Sequence, residues 1–174
     1  MSFSIRRLTR DDVEAYRTIR LEALTDHPES YGTAPDSFAA RPLDAVQTML
    51  DRMAVFGVVT AEGALAGIVA YARDDGERET HRGWLLQVYV RPEMRGSGAA
   101  LAMLEAAVAH ARSEVIQLHL MVGAHNAPAI RLYEKAGFKT YGTDPRCLYV
   151  NGRYIDEHMM VRFLDEAPGK LENE

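Results

Sequence analysis

Apolar and polar residues alternate from Ser2 to Leu8, with Phe3 and Ile5 on one side, and this pattern predicts a short strand. Thr9-Arg10-Asp11-Asp12 then sets a hydroxyl three residues ahead of a carboxylate, the spacing of a capping box. Val13, Tyr16, Ile19, Ala23 and Leu24 follow at helical spacing, so a first helix runs to about Leu24. Between Thr25 and Pro42 the prolines and short polar residues predict a loop with one helical turn, and Leu43 to Met53 reads as a second helix. Val55–Thr60 and Ala64–Ala72 are β-rich runs joined at Glu62-Gly63, a hairpin. After a charged stretch from Arg73 to Arg82, Trp84–Val90 is nearly continuously apolar, the mark of a strand buried on both faces. A Gly-containing turn leads into a helix from Ala99 to about Arg112, with Leu101, Leu104 and Val108 as its apolar stripe. Ile116–Val122 is another central strand. Asn126 caps a short helix that carries Pro128 in its first turn and ends at Gly137. Phe138–Val150 and Arg153–Phe163 are strand-like and joined by Asn151-Gly152, a strong hairpin signal. The order β-α-α-β-β-β-α-β-α-β-β predicts an α/β fold, a mixed sheet with helices on both faces.

Composition narrows this picture. The 174 residues fit one domain, 1–164, followed by a polar tail, 165–174, that carries Pro168-Gly169 and is expected to fray. With 47% hydrophobic and 26% charged residues the chain is not of a disordered class. The single cysteine, Cys147, cannot make an internal disulfide and is expected to be a small core residue. The amino terminus lacks the apolar core of a signal peptide, and no run approaches the ~20 apolar residues of a membrane span. These features point to a cytoplasmic protein without a membrane partner. The net charge of −5 and the absence of any Lys/Arg cluster longer than a pair argue against nucleic acid and suit a cationic small partner better. The histidines show no paired ligand spacing, so no metal is expected.

The first chemical signal is the strand, turn and helix from Trp84 to Arg112. Glycines let a turn bring backbone N–H groups toward an anion, and the helix start adds partial positive charge. Arg95 to Ala100 therefore reads as a phosphate cradle or as a tight turn only. It is neither a Walker loop, lacking Gly-Lys-Ser/Thr, nor a dinucleotide fingerprint, lacking the third glycine.

Arg95-Gly96-Ser97-Gly98-Ala99-Ala100, preceded by Tyr89-Val90-Arg91-Pro92, resembles the pyrophosphate-binding signature of the GNAT acetyltransferase superfamily. Asn126-x-x-Ala129-x-x-Leu132-Tyr133-x-Lys135-x-Gly137-Phe138 is similar to that family's next helix. Asn151-Gly152-Arg153-Tyr154, with Asp156, Glu157 and Met159, looks like its closing hairpin. The resemblance is strong over Trp84–Arg162 and rests on element order alone before that. It implies a mostly antiparallel twisted sheet of about seven strands with about four helices and splayed central strands. It also implies acetyl-CoA as cosubstrate, its pyrophosphate on Arg95, Gly96, Ser97, Gly98, Ala99 and Ala100. The pantetheine would run along Val88, Tyr89 and Val90, near Asn126 and Ala129, in a gap too narrow for a bulky residue at Gly98. Asn126 would hydrogen-bond the pantetheine, cap the helix, or both.

The implied reaction is direct attack of an amine on the thioester, with no enzyme-bound intermediate. An ammonium of pKa roughly 10 must lose a proton, and the departing thiolate, whose conjugate acid lies near 8.5, should gain one. Tyr133 is the expected general acid, with packing against the cosubstrate as the plainer alternative. The N–H of Val88 or Val90 is the expected oxyanion donor. Many relatives carry a glutamate on the strand before the loop, but here that strand reads Gly83-Trp84-Leu85-Leu86-Gln87. Glu79, His81, His119 and Glu22 remain as candidate bases. Trp84 would lie beneath the acetyl group or pack in the core. The acceptor is a small-molecule amine or a peptide amino group, met by the Thr25–Pro42 loop and the final hairpin. A non-catalytic acyl-CoA-binding module is the alternative function, and a homodimer is a further expectation of the resemblance.

Overall fold

A computed structural model describes residues 2–165, so all but the first residue of the tail expected to fray lies outside the described residues. The strands are β1 (Phe3–Arg7), β2 (Ala54–Thr60), β3 (Leu65–Arg73), β4 (Arg82–Val90), β5 (Gln117–Gly123), β6 (Lys139–Val150) and β7 (Arg153–Phe163). They form one sheet of seven in the order β1-β2-β3-β4-β5-β7-β6. Every neighbouring pair is antiparallel except β4 and β5, which run parallel. The mixed sheet and its closing hairpin are as the strand pattern predicts.

The helices are α1 (Val13–Asp26), α2 (Pro35–Ala39), α3 (Leu43–Arg52), α4 (Ala99–Ala111) and α5 (Ala127–Lys135). The Thr9 amide donates to Asp12 Oδ2 at 2.8 Å and caps the turn that opens α1. Pro35 occupies the first turn of α2, where its missing N–H costs nothing. On one face α1 and α3 bury Tyr16, Ile19, Leu24, Val46 and Leu50 against Val55, Ile68 and Ala70. On the other, α4 and α5 bury Met103, Leu104, Val108 and Tyr133 against Val69, Leu85, Leu118 and Leu120. The α4 stripe is Met103, Leu104, Ala107, Val108 and Ala111. Leu101, expected in it, is only partly buried, because it lies to one side of the contact with the sheet.

Two further expectations change. β4 is not buried on both faces: Leu86 is 38% exposed, because α1 packs chiefly on β3. Cys147 is not a core residue. It sits half-buried on β6, and its S–H donates to Glu157 Oε2 at 3.1 Å. Burial first, then the Glu157 and Asp144 carboxylates, push this thiol up to about 12, so it stays protonated and is no nucleophile. Among the described residues no helix is long and apolar enough to cross a membrane.

Candidate active site

The site begins where two strands part. β4 and β5 pair only over Arg82–Trp84 and Gln117–His119; beyond Trp84 and His119 no register partner joins them. The Arg91 amide donates to Ala66 O on β3 at 2.9 Å. Peptide groups alternate sides along a strand, so those of Val90 and Val88 turn toward the gap. The β3–β4 register also slips between Ile68 and Ala70, and Gln87 adopts φ 59°, a β-bulge. Two phenols from beyond α1's first turn hold this bulge. Tyr16 donates its hydroxyl to Gln87 Oε1, and Tyr31 donates to Val88 O at 2.8 Å. Burial pushes Tyr31 up to about 12, so it remains a donor.

Past β4, a short 3-10 turn at Pro92–Met94 leads to Arg95 and the glycines. Gly96 has φ +76° and Gly98, the residue before α4, φ +86°; both are left-handed. A Cβ built on Gly98 would meet no protein atom within 4 Å, so the narrow gap expected there is absent. What requires glycine is the backbone angle, and the space in front of the turn is free for a ligand. The first amides of α4 have no preceding helical carbonyl to pair with. Ser97 Oγ donates to Met94 O at 2.6 Å and accepts from the Ala99 amide at 3.3 Å, bracing the turn. Arg95 Nη2 lies 3.2 Å from His27 Nε2, so the guanidinium reaches the end of α1.

On the far side of the gap, Asn126 Oδ1 accepts from the Ala129 amide at 3.2 Å, so the cap is formed. Ala129 is partly buried against the core. Tyr133 is buried, with its ring edge-on to Phe138 at 6.4 Å. Burial first, and then the nearby Tyr31 phenol, raise the Tyr133 pKa well above the ordinary tyrosine value. Tyr89 turns away from the gap: its hydroxyl donates to Glu22 Oε1 at 2.9 Å.

The four candidate bases fare differently. Glu22 is held by Arg91 through contacts of 2.8, 3.0 and 3.1 Å. Burial pulls Glu22 upward, but the Arg91 and Tyr89 hydrogen bonds override it and keep the carboxylate below its ordinary range. Glu79 is exposed and paired with Arg82 at 3.3 Å, and His81 is exposed. His119 is 7% exposed and lies beside Trp84 at the last paired position of the seam, ring centroids 5.2 Å apart. Its Nδ1 meets Tyr141 Oη at 3.2 Å, while Nε2 is buried without a partner. Burial first, with Arg82 adding, lowers its pKa, so the imidazole is neutral at pH 7. Trp84 is half-buried, and its indole N–H donates to Asp74.

A cleft of about 870 Å³ opens between the turn after α1, the end of β5 and the β6–β7 hairpin. Glu29, His125, Arg153, Tyr154 and Asp156 are among its lining, so the two segments expected to meet the acceptor do face one another. Sequence reasoning missed Tyr16, Gln87 and Tyr31. Nothing local marks them, because each partner stands 57 or 71 residues away.

Residues 16–138 match the acetyltransferase (GNAT) family. An L-methionine sulfoximine/L-methionine sulfone acetyltransferase of Pseudomonas aeruginosa is 31% identical over 173 residues, spanning 95% of this chain and 96% of that protein. A ribosomal-protein-alanine N-acetyltransferase of Brucella melitensis superposes with TM-score 0.80 at 26% identity, covering 92% of this chain and 99% of that one. A phosphinothricin acetyltransferase of Sinorhizobium meliloti, solved with acetyl-CoA, gives TM-score 0.81 at 21% identity over 97% and 91% of the two chains.

Proposed function

The chain belongs to the GNAT acetyltransferase family, and from that premise we propose that it transfers acetyl from acetyl-CoA directly to the primary amine of a small, amino-acid-like molecule. The observation that carries this reading is the parted β4–β5 seam, with the glycine turn at its mouth and Tyr133 on its far wall. The residues present fit the cosubstrate, since the left-handed Gly96 and Gly98 leave open space before the first turn of α4. Arg95 to Ala100 would hold its pyrophosphate, and the backbone of Val88 and Val90 its pantetheine. When bound, acetyl-CoA supplies an activated thioester.

The chain's own groups do the rest. The Val88 or Val90 amide donates to the carbonyl oxygen as charge builds there. Tyr133 donates a hydrogen bond to the departing sulfur. Its raised pKa keeps it protonated but makes full transfer to a thiolate uphill, so it stabilises the sulfur while solvent supplies the final proton. His119, neutral, takes the proton from the acceptor ammonium at Nδ1 through water and the exposed Tyr141 hydroxyl that meets it. The full-length likeness to the methionine sulfoximine and sulfone acetyltransferase supports an amino-acid-like acceptor, and so does the mixed charge of the cleft. A peptide amino terminus is the second reading, favoured by the Brucella neighbour.

The test is CoA thiol release by the purified chain with L-methionine sulfone and with an alanine-initiated peptide. Release with the sulfone upholds the proposal; release with the peptide alone replaces it by the second reading. The Tyr133→Phe variant should bind CoA normally and lose about tenfold to a hundredfold in kcat. Unchanged turnover removes Tyr133 from the mechanism. Normal CoA binding without release to any amine would revive the non-catalytic module.

A further inference from the structure

Tyrosines apart, three ionisable side chains are buried among the described residues: Arg20, His119 and Glu157. His119 meets Tyr141, and Glu157 meets Cys147. Arg20 differs. Its side chain is on a residue only 6% exposed, and its Nη1 is sealed from solvent without a hydrogen-bond partner. No described carboxylate stands within ion-pair distance of it. The ionisable groups that face it are the phenols Tyr16 and Tyr31 and a second guanidinium, Arg41. Arg41 itself reaches only Met49 Sδ, at 3.1 Å, and the Phe38 ring. Two cations and no anion therefore lie near one another here.

A buried, unpaired guanidinium is costly, and replacing such a charge by an apolar side chain of similar volume is commonly neutral or stabilising. Packing therefore gives no reason for arginine here. Geometry gives one. The Arg20 guanidinium carbon lies 4.5 Å over the Tyr31 ring, so the ring occupies its face, while Nη1 stays buried and unbonded beside it. Tyr31 is the residue whose hydroxyl holds Val88 O, and Tyr16, which also faces Arg20, holds Gln87. The cation thus stands at the β4 bulge, on the α1 face of the sheet. The turn at Arg95–Ala100 lies past the end of β4 and has its own arginine.

We propose that Arg20 binds the carboxylate of the acceptor, so that the enzyme selects amines that carry a carboxylate close to the amino group. The planar N–H edge matches a carboxylate with two parallel hydrogen bonds. In an α-amino acid so held, the amine is one carbon from the carboxylate carbon, and the Tyr31 ring that Arg20 stacks on links this site to Val88. This deepens the amino-acid-like reading given above and rests on it.

The experiment compares L-methionine sulfone with its carboxamide, for the full chain and for Arg20→Met. Wild type should favour the acid in kcat/KM, and Arg20→Met should lose about tenfold to a hundredfold on the acid while leaving the carboxamide nearly unchanged. The variant's Tm should hold or rise, as for removal of an unpaired buried charge. An equal loss on both amines, or an undiminished preference for the acid, overturns the proposal. If neither amine releases CoA, the amino-acid reading fails on its own. Arg20 is then read from the rise in Tm on adding L-methionine sulfone to CoA-saturated protein. A rise in wild type that Arg20→Met abolishes upholds the carboxylate site, and no rise in wild type overturns it.

Discussion

The lower and upper halves of β4 have the same neighbours in sequence and opposite surroundings. Below, Arg82–Trp84 pair with β3 on one side and β5 on the other, and Gly83 lets Leu118 pack within 3.2 Å of where its Cβ would be. Above, Leu86–Val90 keep β3 but lose β5, and the chain bulges at Gln87. The lower half behaves as core. The upper half leaves main-chain groups unspent by the sheet, and these are the groups a pantetheine amide or a developing oxyanion can use. Pairing is thus withheld over one short stretch, and the surrounding residues hold that stretch open: Tyr16 and Tyr31 from one side, and the Glu22–Arg91 ion pair just beyond.

The comparison can be broken from below. Leu118→Ala, at a fully buried position under the paired segment, should cost about 2–5 kcal/mol of unfolding free energy. CoA affinity per folded molecule should stay within about twofold of wild type, as expected for separate sites. A large loss of affinity would mean that the two halves are not separate. From above, Gly98→Val places a β-branched residue at φ +86° and should destabilise the turn by about 1–3 kcal/mol. Isothermal titration should then show a roughly tenfold or greater rise in the CoA Kd, at the strain quoted for such positions. Normal affinity would remove the turn from the cosubstrate site.

The smallest effect sharpens the boundary itself. His119 sits at the last paired position, and its pKa is lowered by burial and Arg82. If it accepts the acceptor's proton, kcat/KM should rise with pH through a value below the ordinary histidine pKa of about 6.5. His119→Gln should lose that limb while retaining CoA binding; an unchanged profile assigns the proton to solvent. The same shift acts on stability. As pH falls, the unfolded chain takes the proton before the folded one, so the contribution present above about 6.5 is lost as pH drops toward the folded value. His119→Gln should flatten that slope in a Tm series.

Much of the fold was legible because it is written in short-range signals. Thr9 and Asp12, Asn126 and Ala129, and Asn151-Gly152 each act within a few residues, and the strands and helices they delimit lie within a residue or two of their expected ends. The left-handed glycines of the turn were legible for the same reason: the Gly-Ser-Gly spelling announces the backbone it needs. Leu86 was misjudged because an apolar run cannot say which of its faces a helix will reach. Cys147 was misjudged because its partner Glu157 lies across a strand pair whose register contains bulges.

By itself, then, the sequence determined the order of elements, the mixed sheet, the glycine turn and the tyrosine helix that follows, all through periodicity and turn chemistry local to each segment. Only the tertiary structure decided how far β4 and β5 stay together, that Glu22 serves Arg91, and that Tyr16, Arg20 and Tyr31 gather at the Gln87 bulge. These are contacts between groups as much as 71 residues apart, and no spacing along the chain encodes them. They form when α1 packs on the sheet and brings its polar side chains to the segment of β4 that β5 leaves unpaired.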